Sequence, residues 1–442
     1  MTDYFCEQAW LPGGLSQNVR VTADQAGTVT AVTTATTAQP GDDILRGVVL
    51  PGFANGHSHA FHRALRGRTH AAGGTFWTWR ELMYRVATRL DPDTYRDLAT
   101  AAYAEMALAG VSCVGEFHYL HHQPDGTPYD DPNAMAEALR QAAHAAGIRL
   151  TLLDACYIAG GIGKPLGASQ VRFGDGDAAS WADRAAALRP DATTRIGAAI
   201  HSVRAVPADQ MATVVEAAAG RPLHVHVSEQ PAENSQCQAA YGRTPTQLLH
   251  EHGALGPTST AVHATHLTPG DVGLLGSTTT TVCLCPTTER DLADGIGPAG
   301  ALYGAGCPLT LGSDQHAVVD LLEEARAMEM HERLATGERG RFIPTELVTA
   351  LTVTGHASLG WPQAGRIAVG SPCDLVAIRV DTPRTAGAEP AQIVFTATAA
   401  DVDTVVVGGR SVVSAGRHRV GDIGELLQAA IDALEVDRRI RD

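Results

Sequence analysis

Eight short runs of β character recur through the middle of this 442-residue chain. They are Val48–Leu50 leading into His57, then Val111–Glu116, Ile148–Asp154, Arg195–Ile200, Leu223–Val227, Thr260–Val262, Thr279–Leu284 and Pro308–Leu311. Between most of them lie alanine- and leucine-rich stretches with helical periodicity, such as Thr94–Ala109, Pro132–Ala146, Trp181–Leu188 and Pro207–Ala219. Strict β/α alternation makes neighbouring strands parallel, because each helix carries the chain back to the starting edge. Eight such units close into a barrel, expected here over residues 51–365.

The chain ends read differently. Residues 1–50 hold short β patterns, Asn18–Thr22 and Thr28–Thr33, separated by polar and glycine-containing turns. Towards the other end Asp374–Val380 is a β run, and Thr404–Val407 passes through Gly408-Gly409 into Ser411–Val413, a hairpin signature. Two β patches flanking a long middle predict one accessory unit, 1–50 plus 366–442, with a final helix over Ile423–Arg438.

Composition narrows the function classes. A net charge of -15 argues against nucleic acid and anionic membranes, which both demand a basic face. No apolar stretch reaches the uncharged length of a membrane span. The opening MTDYFCEQAW lacks the basic-then-apolar pattern of a secretory leader, and eight irregularly spaced cysteines suit a reducing compartment, so a cytoplasmic protein is expected. Cys283 and Cys285 are expected to be small buried side chains. Lys164 is the single lysine, in no motif suited to Schiff-base chemistry, so an anionic substrate is expected to meet arginine.

Barrel enzymes carry their chemistry at the C-terminal ends of the strands. Polar residues gather there: His57 and His59, Glu116 and Tyr119, Asp154, His201, His226, His263 and Asp314. In PGFANGHSH, His57 and His59 share one face of an extended segment and form half of a metal site. A lone H-x-H pair among 19 histidines is weak, and a hydrogen-bonded or solvated pair is the commoner case. LHVHVSEQ adds His224 and His226 on one face, one of which can complete a three-histidine set, with Glu229 in the turn beyond. AVHATH adds His263 and His266, and LTLGSDQH sets Asp314 directly after an apolar run. Together these outweigh coincidence.

PGFANGHSH, HVHVSEQ, VHATH and LGSD resemble the amidohydrolase superfamily, and the match runs through nearly the whole chain. The resemblance implies a distorted (β/α)8 barrel with an attached β-sandwich. It also implies one divalent transition metal, zinc by default with iron(II) as the alternative, on His57, His59, His226 and Asp314. His224 is then left to packing. An activated water would add to the substrate, with Asp314 taking its proton, Glu229 protonating the departing ammonia or the substrate imine nitrogen, and His263 hydrogen-bonding the nucleophile or the developing charge. HSHAFHRALRG, FWTWRELMYR, GEFHYLHH and AIHSVRAVP are similar to the branch that hydrolyses N-formimino-L-glutamate to N-formyl-L-glutamate and ammonia. That similarity implies a small-molecule dicarboxylate substrate held by Arg80, Tyr119, His201 and Arg204. His62 stands where the family pattern HSHAFQR has glutamine, and either offers a ring N–H to a carboxylate or merely packs. Trp77 and Trp79 are expected to pack in a lid, and the assembly is expected to be a homodimer. The competing readings are another deaminase of the superfamily, an imidazolonepropionase, or a barrel reduced to a scaffold, which would lack ligands.

Overall fold

In the computed structural model, four strands open the chain: β1 (Thr2–Leu11), β2 (Gly14–Ala23), β3 (Val29–Thr33) and β4 (Asp43–Pro51). The barrel strands follow as β5 (Phe53–Ser58), β6 (Val111–His118), β7 (Arg149–Cys156), β8 (Thr194–Ile200), β9 (Leu223–Val227), β10 (Ser259–His263), β11 (Thr281–Leu284) and β12 (Leu309–Leu311). Then come β13 (Leu375–Ile378), β14 (Val402–Val407), β15 (Arg410–Ser414) and β16 (Arg417–His418). The structure describes residues 1–70 and 75–434, apart from the side chain of Trp77. The last helix is described over Ile423–Ala433, and the remainder of its predicted span, from residue 435, lies outside the described residues.

β5 to β12 form one parallel sheet in sequence order. β6 and β7 are buried at every position, including the polar Ser112, Glu116, His118, Arg149, Thr151 and Asp154. The sheet closes through a bridge between Ser58 and Asp314. There the Asp314 N–H donates to the His57 carbonyl at 3.0 Å and the His59 N–H to the Asp314 carbonyl at 3.1 Å. Gly312 permits this seam, because a Cβ there would lie 2.8 Å from the His57 Cβ. No helix among the described residues is long and apolar enough to cross a membrane.

The other eight strands form the accessory sheet, in the order β16-β15-β14-β13-β4-β1-β2-β3. It bends over its own core of Tyr4, Val19, Val21, Leu375 and Val406, and its far parts meet where Thr28 bridges Pro372 and the Tyr4 hydroxyl donates to the Gly409 carbonyl. The β14–β15 hairpin turns on Gly408 (φ 55°) and Gly409 (φ 70°), the left-handed pair the sequence pattern predicts. One boundary differs from expectation: Val48–Leu50 belongs to β4 of the accessory sheet, and the barrel strand that ends on the histidines begins at Phe53. Only Gly52 separates the two, so the accessory sheet feeds directly into the strand carrying the site.

Candidate metal and substrate site

Four side chains converge at the mouth of the barrel. The Nε2 atoms of His57 and His59 lie 3.1 Å apart and those of His57 and His226 3.0 Å apart. One Asp314 carboxylate oxygen lies 3.2 Å from His57 Nε2 and 3.4 Å from His59 Nε2. The strands set this geometry. His57 and His59 straddle the end of β5, His226 ends the inward face of β9, and Asp314 closes the seam with a left-handed backbone (φ 43°). A non-glycine residue with positive φ is strained, and such strain concentrates at functional sites.

Tautomers decide what these atoms offer. His59 Nδ1 lies 2.9 Å from the Phe117 carbonyl and His226 Nδ1 2.8 Å from the His201 carbonyl. A carbonyl only accepts, so both Nδ1 atoms carry the proton and both Nε2 atoms present lone pairs. Burial, reinforced by the neighbouring imidazoles, holds His57, His59 and His226 well below the usual histidine range, so the rings are neutral. Lone pairs and a carboxylate converging among buried side chains repel one another unless a cation sits among them. The donor set therefore fits a divalent transition metal.

Two overlapping groups of donors lie within 4.8 Å: His57, His226, His263 and Asp314, and His59, His62 and Asp314. The shorter separations favour His59 over His263 as a partner of Asp314, because His263 Nε2 is 3.9 Å from both Asp314 and Glu229. His263 is instead ringed by acids, with Glu289 3.5 Å from its Nδ1. Burial alone would lower its imidazole, but Glu229, Glu289 and Asp314 together outweigh burial and hold it well above its ordinary value. Glu229 is buried, which raises its carboxyl, while His263 and Arg204 pull it down.

A cavity of about 520 Å³ opens beside this cluster. Each residue expected to hold substrate lines it: His62, Arg80, Tyr119, His201 and Arg204. His62 Nε2 meets the Tyr119 hydroxyl at 3.0 Å, while its Nδ1 is buried without a hydrogen-bond partner among the described residues. The Arg80 guanidinium lies over the Tyr84 ring, 5.7 Å from its centroid. His201 serves twice, its carbonyl anchoring His226 and its ring packing 4.3 Å from Tyr157. Trp79 lines the wall and packs edge-on against His62 at 5.2 Å.

Arg204 lines the cavity with its charge already facing acids, 3.7 Å from Glu229 and 3.3 Å from Glu233. Glu116 and Asp154 sit at strand ends but outside the cavity lining. Glu116 accepts from the Ala60 N–H at 2.7 Å and the Ser58 hydroxyl at 2.8 Å, bracing the segment that carries both β5 histidines, and burial pushes its carboxyl up to about 8. Asp154 is bound by Trp181 and Arg184. His224 packs, 3.2 Å from the Ser358 carbonyl, and Cys283 and Cys285 are buried thiols, as expected. Glu233, Glu289 and Lys164 are additions for which the sequence carries no local motif.

Residues 48–412 match the amidohydrolase family, and the chain belongs to it. Among curated relatives, formimidoylglutamate deiminase of Pseudomonas aeruginosa is 39% identical over 438 residues, covering 95% of this chain and 96% of the relative. Among solved structures, an amidohydrolase from Brucella melitensis matches with a TM-score of 0.92 at 31% identity, covering 98% of this chain and 100% of that one. An adenosine deaminase from Xanthomonas campestris with bound zinc shares the fold at a TM-score of 0.86 and 21% identity, covering 100% of this chain and 98% of that one.

Proposed function

We propose that this chain is a metal-dependent deiminase that hydrolyses N-formimino-L-glutamate to N-formyl-L-glutamate and ammonia. The observation that carries the reading is the convergence of His57, His59, His226 and Asp314 beside a cavity lined with cations. The 39% identity to a formimidoylglutamate deiminase supports the choice of substrate.

In this reading His57, His59, His226 and Asp314 hold one divalent ion, zinc by default and iron(II) as the alternative. When bound, such an ion lowers the pKa of a coordinated water towards ~7 and so supplies a nucleophile at neutral pH. The remaining chemistry belongs to the chain. Asp314 accepts the proton of the attacking water. Glu229, buried and raised, delivers a proton to the departing nitrogen, and Arg204 holds it in place at 3.7 Å. His263 faces Glu229 and Asp314 equally and hydrogen-bonds the charge that develops at the reacting carbon. Arg80, Tyr119, His201, Arg204 and His62 orient the carboxylates. A scaffold that had lost catalysis would lack part of this set. Residues 51–365 form the catalytic unit in this proposal and the two chain ends, 1–50 and 366–442, an accessory one.

The test is product analysis with N-formimino-L-glutamate. Addition of water to the formimino carbon followed by loss of the terminal nitrogen yields N-formyl-L-glutamate and ammonia. Glutamate and formamide instead would mean that the other C–N bond breaks, and would overturn the proposal.

A further inference from the structure

Lys164 is the single lysine of the chain, and it lines the cavity. It stands at the end of a tight turn. Its N–H donates to the Gly161 carbonyl at 2.9 Å, its carbonyl accepts from the Gly160 N–H at 3.0 Å, and Gly163 takes the left-handed conformation (φ 68°) the turn requires. Its stem passes over Gly161, with Cδ 3.5 Å from where a Cβ of Gly161 would stand. Unlike the donors His57, His59 and His226, which are 0–6% exposed, Lys164 is exposed, so it belongs to the outer part of the cavity. It pairs with no acid among the described residues.

The charges of the cavity ask for such a residue. N-formimino-L-glutamate carries two carboxylates, one on the carbon bearing the formimino nitrogen and one at the end of the side chain. Arg204 already faces Glu229 and Glu233, both buried, so its charge is shared with two acids before any substrate arrives. Arg80 and Lys164 are the other cations of the lining. An ammonium on a flexible stem suits a single-point contact at a solvated rim, where a carboxylate keeps part of its water.

We propose that Lys164 is a specificity-determining residue whose ammonium binds the side-chain carboxylate of the substrate, the one farther from the reacting carbon. This rests on the deiminase reading above. It revises the expectation that arginine alone meets the anion. The contact is exposed and therefore modest, about fivefold in KM at low salt.

The test uses the full-length enzyme. Lys164→Met should raise KM for N-formimino-L-glutamate about fivefold with kcat unchanged, and Lys164→Arg should restore most of the loss. The KM of the wild type should rise with ionic strength more steeply than that of Lys164→Met, because salt screens an exposed pair. Reductive methylation with ¹³C-formaldehyde labels the one lysine and keeps its charge, and its resonance is identified by its absence from Lys164→Met. N-formyl-L-glutamate should move that resonance, while N-formyl-L-glutamine, which lacks the side-chain carboxylate, should leave it in place. If the wild type turns over the substrate but the Lys164→Met KM is unchanged and the resonance stays still, the Lys164 inference falls alone. If the wild type releases no ammonia, the deiminase reading falls, and the titration then decides for Lys164: a stationary resonance overturns the carboxylate contact.

Discussion

Replacing Gly312 by alanine should disable the donor cluster without altering a donor. A Cβ on Gly312 would lie 2.8 Å from the His57 Cβ, 2.9 Å from its carbonyl oxygen and 3.0 Å from its nitrogen. Carbon atoms pack at about 3.5–4.0 Å, so the first contact falls short by about 0.7 Å or more. All three atoms are backbone or Cβ, and no rotamer change relieves them. β5 and β12 must part at the seam, which loosens the bonds between Asp314 and the backbone of His57 and His59. Overpacking of this kind costs about 1–3 kcal/mol. A metal site tolerates displacements of only about 0.5 Å, so affinity for the ion should fall about 10- to 100-fold. Metal content after dialysis against a weak chelator, with thermal melting, reads both effects. Gly304→Ala is the control, since nothing lies within 4 Å of a Cβ there. A Gly312→Ala protein with full metal content and an unchanged melting temperature would refute the claim that the seam sets the donor geometry.

Glu229→Gln should keep its metal and lose about 10²–10⁴-fold in turnover, because it changes a proton-transfer group and no donor. Metal loss in that variant, measured by elemental analysis, would make Glu229 a ligand. Arg204→Met should be destabilised in a pH-dependent way. Burial already raises Glu229 and Glu233 above their ordinary 4.5, and Arg204 pulls both down, so its removal raises them further. A carboxylate whose folded-state pKa exceeds its unfolded value contributes least harm below about 4.5 and costs stability as pH rises through the folded value. The melting temperature of Arg204→Met should therefore fall away from that of the wild type between pH 5 and neutrality, approaching a loss of about 3–5 kcal/mol. Melting curves that stay parallel across that range would contradict the buried pairing.

The barrel is legible in the sequence because buried parallel strands are rich in apolar residues, and seven of the eight runs lie in its strands, while Val48–Leu50 falls in β4 just ahead of β5. β1 is not legible. Its pairing with β4 shifts register between Cys6 and Gln8, where Glu7 reaches the Gly47 N–H at 2.8 Å, and the period-2 pattern breaks there. The metal donors stand out because His57 and His59 sit at strand spacing and His226 and Asp314 lie at the ends of other β runs. Glu116 and Asp154 look equivalent to them, yet alternation does not say which face of a fully buried strand looks into the cavity. Glu233 and Glu289 lie in the first turns of helices after β9 and β11, brought to Arg204 and His263 only by the closed barrel. Lys164 stands in no motif, and only the fold brings it to the cavity lining.

One titration tests the central claim most directly. The protein is stripped of metal with a chelator, zinc or iron(II) is returned in substoichiometric steps, and ammonia release from N-formimino-L-glutamate is followed. Activity should rise in proportion to metal and level off at about one ion per chain. Undiminished ammonia release from the metal-free protein would contradict the account.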